Sequence, residues 1–146
     1  MFRNDLQGDR DMYLVNWNLD KRLPEARKLG TGSWRIDACP MDGGGVAQRG
    51  STIATAWRRD RTVYLDEPGQ AEIPLGQGKD VALALPAKGP YVAWTSSSGL
   101  ELHRPGEQKP TCLSVTGSFP VLTALSTGSV LAAWEQDGKI QLQIVN

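Results

Sequence analysis

The sequence predicts an all-β protein, a β-propeller fragment of about three to three and a half four-stranded antiparallel blades. The first observation is a strand that ends in Ala-Trp and occurs three times, at residues 51–57, 89–94 and 128–134. The steps between the repeated tryptophans, Trp57, Trp94 and Trp134, are 37 and 40 residues. A repeat of about 40 residues made of short strands is typical of propeller blades.

Two further observations support this fold class. A Pro-Gly pair begins eleven residues after Trp57, at Pro68, and again eleven residues after Trp94, at Pro105. Every apolar run is four to seven residues long and is bounded by Gly, Pro, Asp or Ser, which indicates strands rather than helices. We therefore expect equal strand–turn–strand units along the chain and no helical periodicity.

The repeats divide the chain, taken as a single half-propeller domain over residues 1–146, into successive blades. A partial blade covers residues 1–32, and an inserted loop follows at residues 33–38. Full blades are predicted at residues 39–78 and 79–118, and a second partial blade at residues 119–146. The first strands of the last three blades are expected near Cys39, Asp80 and Phe119. Asp137-Gly138 predicts a tight hairpin turn near the end of the chain.

The recurrent tryptophans have a structural interpretation. Blades stack face to face, so these three flat side chains are expected to fill the space between neighbouring blades rather than to contact a ligand. Cys39 and Cys112 are expected to be buried free thiols, because two cysteines do not make a disulfide framework. His103 is expected to face outward from an alternating strand and not to act as a base.

Composition excludes several function classes. The 16 basic and 16 acidic residues give zero net charge, so no strong field favours nucleic acid or an anionic membrane as a partner. No apolar run approaches the roughly 18 residues of a membrane-spanning helix, and the first residues have no signal-peptide pattern. The single His and two Cys have no metal-ligand spacing, so neither a metal nor another cofactor is expected.

Six segments carry a resemblance to a known family. They are Phe2-Arg-Asn, Arg10-Asp-Met-Tyr-Leu14, Lys28-Leu-Gly-Thr-Gly-Ser-Trp34, Asp37-Ala-Cys-Pro-Met-Asp-Gly-Gly44, Thr55-Ala-Trp-Arg-Arg59 and Leu131-Ala-Ala-Trp-Glu135. On these segments the chain resembles the C-terminal half of bacterial sialidase-like proteins, six-bladed β-propellers with BNR (Asp-box) repeats. The resemblance covers essentially the whole chain. It implies a propeller fold and an exported or periplasmic parent protein, although this chain contains no signal.

The motifs of that family are only partly present. Its Asp-box is a hairpin turn with the pattern Ser-x-Asp-x-Gly-x-Thr-Trp/Phe, and the corresponding segment here, residues 16–23, reads Asn-Trp-Asn-Leu-Asp-Lys-Arg-Leu. The Ser, Asp and Gly are all missing, so the box is degenerate. Sialidases are also known for an arginine triad that binds the sugar carboxylate, a Tyr nucleophile paired with a Glu, and an Asp acid/base. None of these maps onto this chain, so no catalytic residue is assigned.

The first group of candidate ligand-binding residues lies in the inserted loop and in the segment that follows it. Trp34 could stack on a sugar ring, while Asp37 and Asp42 could accept hydrogen bonds from sugar hydroxyls or donate a proton. The alternative is a structural loop in which the tryptophan covers the blade and the aspartates form turns with the neighbouring glycines.

Further candidates are charged residues at strand ends. Arg10 and Asp11 begin one strand, and Arg58 with Arg59 follows the Trp57 strand. An arginine in such a place could bind a carboxylate through two parallel N–H groups. The alternative is that these charges are solvated or paired with each other.

Two function classes follow, of which non-catalytic binding is favoured. The chain is predicted to be a glycan-binding or protein-binding propeller module without turnover. In one alternative the chain is part of a sialidase-type glycoside hydrolase whose other catalytic groups lie in a missing N-terminal half. In another alternative the chain is a fragment without independent function. Open strand edges predict self-association, or pairing with a second half-propeller, to close the ring. If the module binds a glycan, the expected ligand is a carbohydrate.

Overall fold

The computed structural model describes residues 1–17 and 24–146. Within those residues the protein is all-β: 14 strands form four antiparallel sheets, and no helix is present. The all-β prediction and the repeated antiparallel sheets are therefore confirmed. Nothing in this part of the chain is a helix long and apolar enough to cross a membrane. The degenerate Asp-box, residues 16–23, lies outside the described residues from position 18 onward.

Each sheet is a meander with its strands in sequence order. Sheet I contains β1 (Phe2–Arg3), β2 (Met12–Asn16) and β3 (Glu25–Lys28). Sheet II contains β4 (Gly44–Arg49), β5 (Thr52–Arg59), β6 (Thr62–Asp66) and β7 (Ile73–Gln77). Sheet III contains β8 (Lys79–Ala84), β9 (Tyr91–Ser96), β10 (Gly99–His103) and β11 (Thr111–Ser114). Sheet IV contains β12 (Ser118–Ala124), β13 (Val130–Gln136) and β14 (Lys139–Val145).

Turn residues lie where the sequence repeat predicts them. Gly69 and Gly106, in the two Pro-Gly pairs, have φ of 77° and 80°, so the third and fourth strands of sheets II and III are joined alike. Asp137 and Gly138 have φ of 53° and 69°, the left-handed values of a type I′ hairpin. The turn signals in the sequence are confirmed.

The first strand of sheet II begins later than the sequence predicts, at Gly44 rather than at Cys39. In the pairing of first and second strands, Gly45 of sheet II occupies the position of Ala82 in sheet III. The apolar pattern of the sequence does not reveal this start, because β4 begins with glycines where the next repeat has apolar side chains. A Cβ on Gly45 would lie 2.5 Å from the Leu83 Cβ, so the two sheets can approach this closely only at a glycine.

Neighbouring sheets pack face to face, and a buried tryptophan lies at each junction. Trp57, Trp94 and Trp134 expose 1%, 1% and 7% of their surfaces. Each indole packs on a glycine that lies in the last strand of the preceding sheet or in the connection that follows that strand. A Cβ added to that glycine would lie within 2.9 Å of an indole atom. These glycines are, in order, Gly30, Gly76 and Gly117. The tryptophan repeat is therefore matched by a glycine repeat supplied by the neighbouring sheet.

Two expectations about burial are wrong. Cys39 and Cys112 are free but exposed, because Cys39 lies in the connection before β4 and Cys112 on the outermost strand of sheet III. His103 is buried rather than facing outward, with 9% of its surface exposed. Its strand, β10, lies between β9 and β11, so both faces and both edges of the strand are covered.

Candidate functional site

Connections from different sheets meet at one end of the molecule, called here the loop end. They include residues 4–11 between β1 and β2, 29–43 between β3 and β4, 60–61 between β5 and β6, and 97–98 between β9 and β10. The Arg10 N–H donates to the Trp34 carbonyl at 2.8 Å, which joins the first two connections. The inserted connection is longer than predicted, since Gly78 alone joins sheets II and III.

Trp34 lies at the centre of an arginine cluster. The guanidinium carbons of Arg3, in sheet I, and Arg58, in sheet II, lie 5.0 and 4.9 Å from the centroid of its ring. Both distances are favourable for cation–π attraction. Trp34 is 8% exposed, whereas the Arg58 side chain is 21% exposed. The group that a ligand can reach here is therefore a guanidinium more than the indole.

Arg3 is bonded to the backbone of its neighbours. Its Nη1 donates to the Arg10 carbonyl at 2.8 Å, and its Nη2 donates to the Arg58 carbonyl at 3.1 Å. Burial lowers the pKa of the Arg3 guanidinium; Asp42 opposes this effect and Arg58 adds to it. Arg3 therefore links the connection that carries Arg10 to the end of β5 that carries Arg58.

Asp42 holds Arg58 through an ion pair. The Arg58 Nε lies 2.8 Å from the Asp42 Oδ2, and the Asp42 side chain is only 7% exposed. The atoms are not aligned for a hydrogen bond, and neither carboxylate oxygen of Asp42 accepts one from the described residues. Since the contact uses Nε, the two outer amino groups of Arg58 are the donors it offers toward solvent.

Asp11 fixes the inserted connection. Its Oδ2 lies 2.6 Å from the Lys28 Nζ and accepts a hydrogen bond from the Ser33 hydroxyl at 2.9 Å. Its Oδ1 accepts from the Trp34 N–H at 3.0 Å. Burial raises the pKa of Asp11, but these donors outweigh it and leave the pKa below its ordinary value. Asp11 is therefore a positioning residue for Trp34.

Arg10 and Asp37 face a separate space at the loop end. They line a cleft of about 410 Å³ together with Asp5, Gly8, Arg35 and Ile36. The Arg10 Nη1 lies 2.6 Å from the Asp5 Oδ2, so this arginine is already paired. Two arginines face two aspartates in this cleft, which leaves no net charge to attract an anion.

The strongest candidate binding site is a second space between sheets II and III, called here the basic cleft. It measures about 380 Å³, and its described lining includes no carboxylate. Its charged lining residues are Arg58, Arg61 and Lys79, and the others are Gln77, Gly78, Thr95, Ser96 and Ser97. The Lys79 Nζ has one acidic neighbour, Asp80, whose Oδ2 is 3.9 Å away. Three cations thus converge beside three hydroxyl groups.

The sequence indicates only one of the three cations, Arg58, as a candidate, and does not indicate Arg61 or Lys79. Arg61 lies in the turn between β5 and β6, and Lys79 begins β8 directly after Gly78. Both are first residues after a turn signal at the same end of adjacent repeats, so phasing the repeats by their turns would have placed them together.

Comparison with protein-family models, with curated proteins and with solved structures found no match to the chain. The described residues contain no group of three or more His, Cys, Asp or Glu side chains that could hold a metal ion. The candidate site is accordingly defined by its own chemistry, which is that of an open, cationic, hydroxyl-lined cleft.

Proposed function

We propose that this chain is a propeller-type module that binds an acidic glycan at its loop end without turnover. The observation that carries the proposal is the basic cleft, in which Arg58, Arg61 and Lys79 face about 380 Å³ with no carboxylate in the described lining. Asp42 and Asp80 offset part of the charge of Arg58 and Lys79 from outside the lining, so the groups that face the cleft itself are still cationic. A cleft with one sign of charge concentrates ligands of the opposite sign.

The packing of the sheets supports the propeller part of the proposal. Successive sheets are meanders, with a tryptophan and a glycine repeated at each junction. The first strands of the last three sheets are neighbours, since β4 contacts β8 and β8 contacts β12. Blades arranged around an axis bring their first strands together in this manner. The loop end is then where connections enter the innermost strands, a common place for propeller ligands.

The lining groups suit a carboxylated sugar. Arginine donates two parallel N–H groups to a carboxylate, and lysine adds a compact charge. Thr95, Ser96 and Ser97 carry hydroxyls, which can donate to and accept from sugar hydroxyls. Ligand sites for small molecules measure about 300–1,000 Å³, and the cleft falls in this range. The resemblance to sialidase-like proteins agrees with an acidic sugar as ligand.

The positions of the candidate aspartates favour binding without turnover. Glycoside hydrolysis commonly needs two acidic groups that flank the bond to be cleaved. Asp42 is paired with Arg58, Asp11 is held by Lys28 and Ser33, and Asp37 lines the other cleft. None of these three carboxylates lines the basic cleft.

The test is a titration of the chain with N-acetylneuraminic acid, followed by NMR, with galactose as the neutral control. We expect saturable binding of the acidic sugar that weakens as salt is added. Arg61→Met and Lys79→Met should each weaken binding about tenfold, because each removes a charged donor to the carboxylate. Lys88→Met, which changes the same charge in a turn at the opposite end of sheet III, should leave binding unchanged.

Equal binding of galactose, or unchanged affinity in both cleft variants, would contradict the acidic-glycan proposal. Turnover is tested separately with a fluorogenic sialoside. Release of the fluorophore would contradict the non-catalytic part of the proposal, and Asp37→Asn and Asp42→Asn would then show whether either carboxylate carries the reaction.

A further inference from the structure

Sheet IV has an apolar face that no described part of the chain covers. The apolar residues of this surface, called here the outer face of sheet IV, are Val121, Leu131, Ala133, Ile140, Leu142 and Ile144, and Thr123 and Glu135 share the face with them. Val121, Ile140 and Leu142 expose 63%, 70% and 66% of their surfaces. Single exposed apolar residues are ordinary, but a contiguous apolar patch across three adjacent strands indicates an interaction surface.

The equivalent face of sheet III is fully covered. When sheets III and IV are aligned on their tryptophans, Leu100 and Leu102 of sheet III occupy the positions of Ile140 and Leu142 in sheet IV. Leu100 and Leu102 are 0% exposed, because sheet IV packs on them and adds Trp134 to the same core. The outer face of sheet IV thus has the side chains of a sheet on which another sheet packs.

Sheet I presents the complementary kind of face. Phe2 pairs with Tyr13 as Trp57 pairs with Tyr64, so Phe2 occupies the tryptophan position of the repeat. The rings stack alike, with centroids 5.8 Å apart and planes at 22° in sheet I, and 6.2 Å and 24° in sheet II. Trp57 is 1% exposed, whereas Phe2 is 42% exposed.

The junctions between sheets II and III and between sheets III and IV each join an aromatic face to an aliphatic one. Trp94 shares a core with Val63 and Leu65 of sheet II, and Trp134 shares one with leucines of sheet III. Among residues 1–17 and 24–146, the aromatic face of sheet I has no aliphatic face packed on it, and the aliphatic outer face of sheet IV has no aromatic face packed on it. Each chain therefore carries both halves of one interface.

We propose that two copies of this chain bind head to tail, with the outer face of sheet IV of each copy packed on sheet I of the other. A second copy fits because every chain presents both complementary faces. The four sheets of the described residues in each copy make eight in the pair, within the range of about four to eight blades in closed propellers. Repeated head-to-tail contacts close into a ring when the rotation between copies allows it. This contact involves sheet packing alone and needs no glycan.

Sedimentation velocity measures the pairing directly. The unaltered chain is expected at twice its mass of 15.9 kDa. Leu142→Lys charges the outer face of sheet IV and Phe2→Lys charges the face of sheet I; each should weaken self-association about tenfold or more. Val115→Lys, at a valine that is 78% exposed in the connection between sheets III and IV, is the matched control and should leave the dimer intact.

A mixture of the two variants distinguishes this arrangement from others. Leu142→Lys keeps an intact sheet I, and Phe2→Lys keeps an intact sheet IV, so the mixture should form one good contact. It should then contain a species of twice the chain mass that neither variant forms alone. Circular dichroism and cooperative thermal unfolding establish that both variants are folded.

Other contacts give a different result. Pairing of two sheet IV faces, or of two β14 edges, would leave Phe2→Lys dimeric on its own, because Phe2 lies on neither surface. That result would overturn the head-to-tail proposal. A mixture of folded variants that stays monomeric would overturn the head-to-tail proposal. An unaltered chain that stays monomeric at about 100 µM, where even a weak specific contact is populated, would overturn it as well.

Discussion

Arg59 and Glu72 form a two-pronged ion pair, with Nη1 2.8 Å from Oε2 and Nη2 2.9 Å from Oε1. The same carboxylate accepts hydrogen bonds from the backbone N–H and the hydroxyl of Thr31, at 3.2 and 3.1 Å. The Arg59 guanidinium also lies 4.0 Å from the centroid of the Tyr64 ring. Because Thr31 follows sheet I, the pair ties sheets I and II together. Arg59, unlike its neighbour Arg58, has its guanidinium fork already occupied.

Glu72→Gln is expected to lower the free energy of unfolding by about 2 kcal/mol, because it leaves a largely buried guanidinium without its full acceptor set. Burial raises the pKa of Glu72, but the donors on Arg59 and Thr31 hold it below its ordinary value, so the carboxylate is charged at neutral pH. Urea unfolding at pH 7 measures the loss. Asp5→Asn makes the same change in a half-exposed pair and should cost less than about 0.5 kcal/mol. Equal losses of unfolding free energy in the two variants would contradict a role of the Arg59–Glu72 pair in joining sheets I and II.

Gly117→Ala is expected to destabilise the protein by about 1–3 kcal/mol through overpacking. Its added Cβ would lie 2.6 Å from the Trp134 Cδ1. Gly43→Ala is a matched control, because nothing lies within 4 Å of its Cβ position and neither glycine has a left-handed φ. Thermal unfolding should show a lower midpoint for Gly117→Ala alone. Similar midpoints would mean that the contact between glycine and tryptophan is not needed for sheet packing.

Local chemistry explains which parts of the fold could be predicted from the sequence. The turns at Gly69, Gly106 and Asp137 were predictable because a left-handed φ restricts the residue types that a turn accepts. The start of β4 was not, since the need for Gly45 comes from Leu83 in another sheet. A pattern along one strand contains no information about a neighbour that is distant in sequence.

The candidate site was predictable only to the level of single residues. Arg58 could be recognised at the end of its strand, but the basic cleft depends on how turns from separate repeats converge beside Arg61 and Lys79. Burial was similarly misjudged for His103, whose polar type suggested a solvent-facing position. Its place on a central strand outweighs that preference.

Asp11→Asn is expected to destabilise the protein at neutral pH and to have a smaller effect in acid. Burial raises the pKa of Asp11, but donors from Lys28, Trp34 and Ser33 bring it below its ordinary value. A lowered folded-state pKa gives stability that is complete above the unfolded pKa of about 3.9 and is lost as pH falls through the folded pKa. The difference between the urea midpoints of the two proteins should therefore become smaller as the pH is lowered from 7 to 3. A constant difference would contradict the role of the charged carboxylate.

His103 provides a direct probe of burial, because it is the only histidine in the chain and gives a single NMR titration. Burial lowers its pKa, and the charge of Glu107 opposes this only in part. We expect a titration midpoint below the ordinary value of about 6.5. Glu107→Gln removes the opposing charge and should lower the midpoint further.

The same lowered pKa of His103 predicts how stability depends on pH. A folded state that favours the neutral imidazole is fully stabilised above the unfolded pKa of about 6.5, and this contribution decreases as the pH falls below that value. His103→Gln, which keeps a polar side chain but cannot titrate, should flatten that part of the stability curve. A midpoint at or above 6.5 in the NMR titration would show that burial does not dominate the titration of His103. An unchanged stability curve in the variant would assign the acid sensitivity to the carboxylates instead.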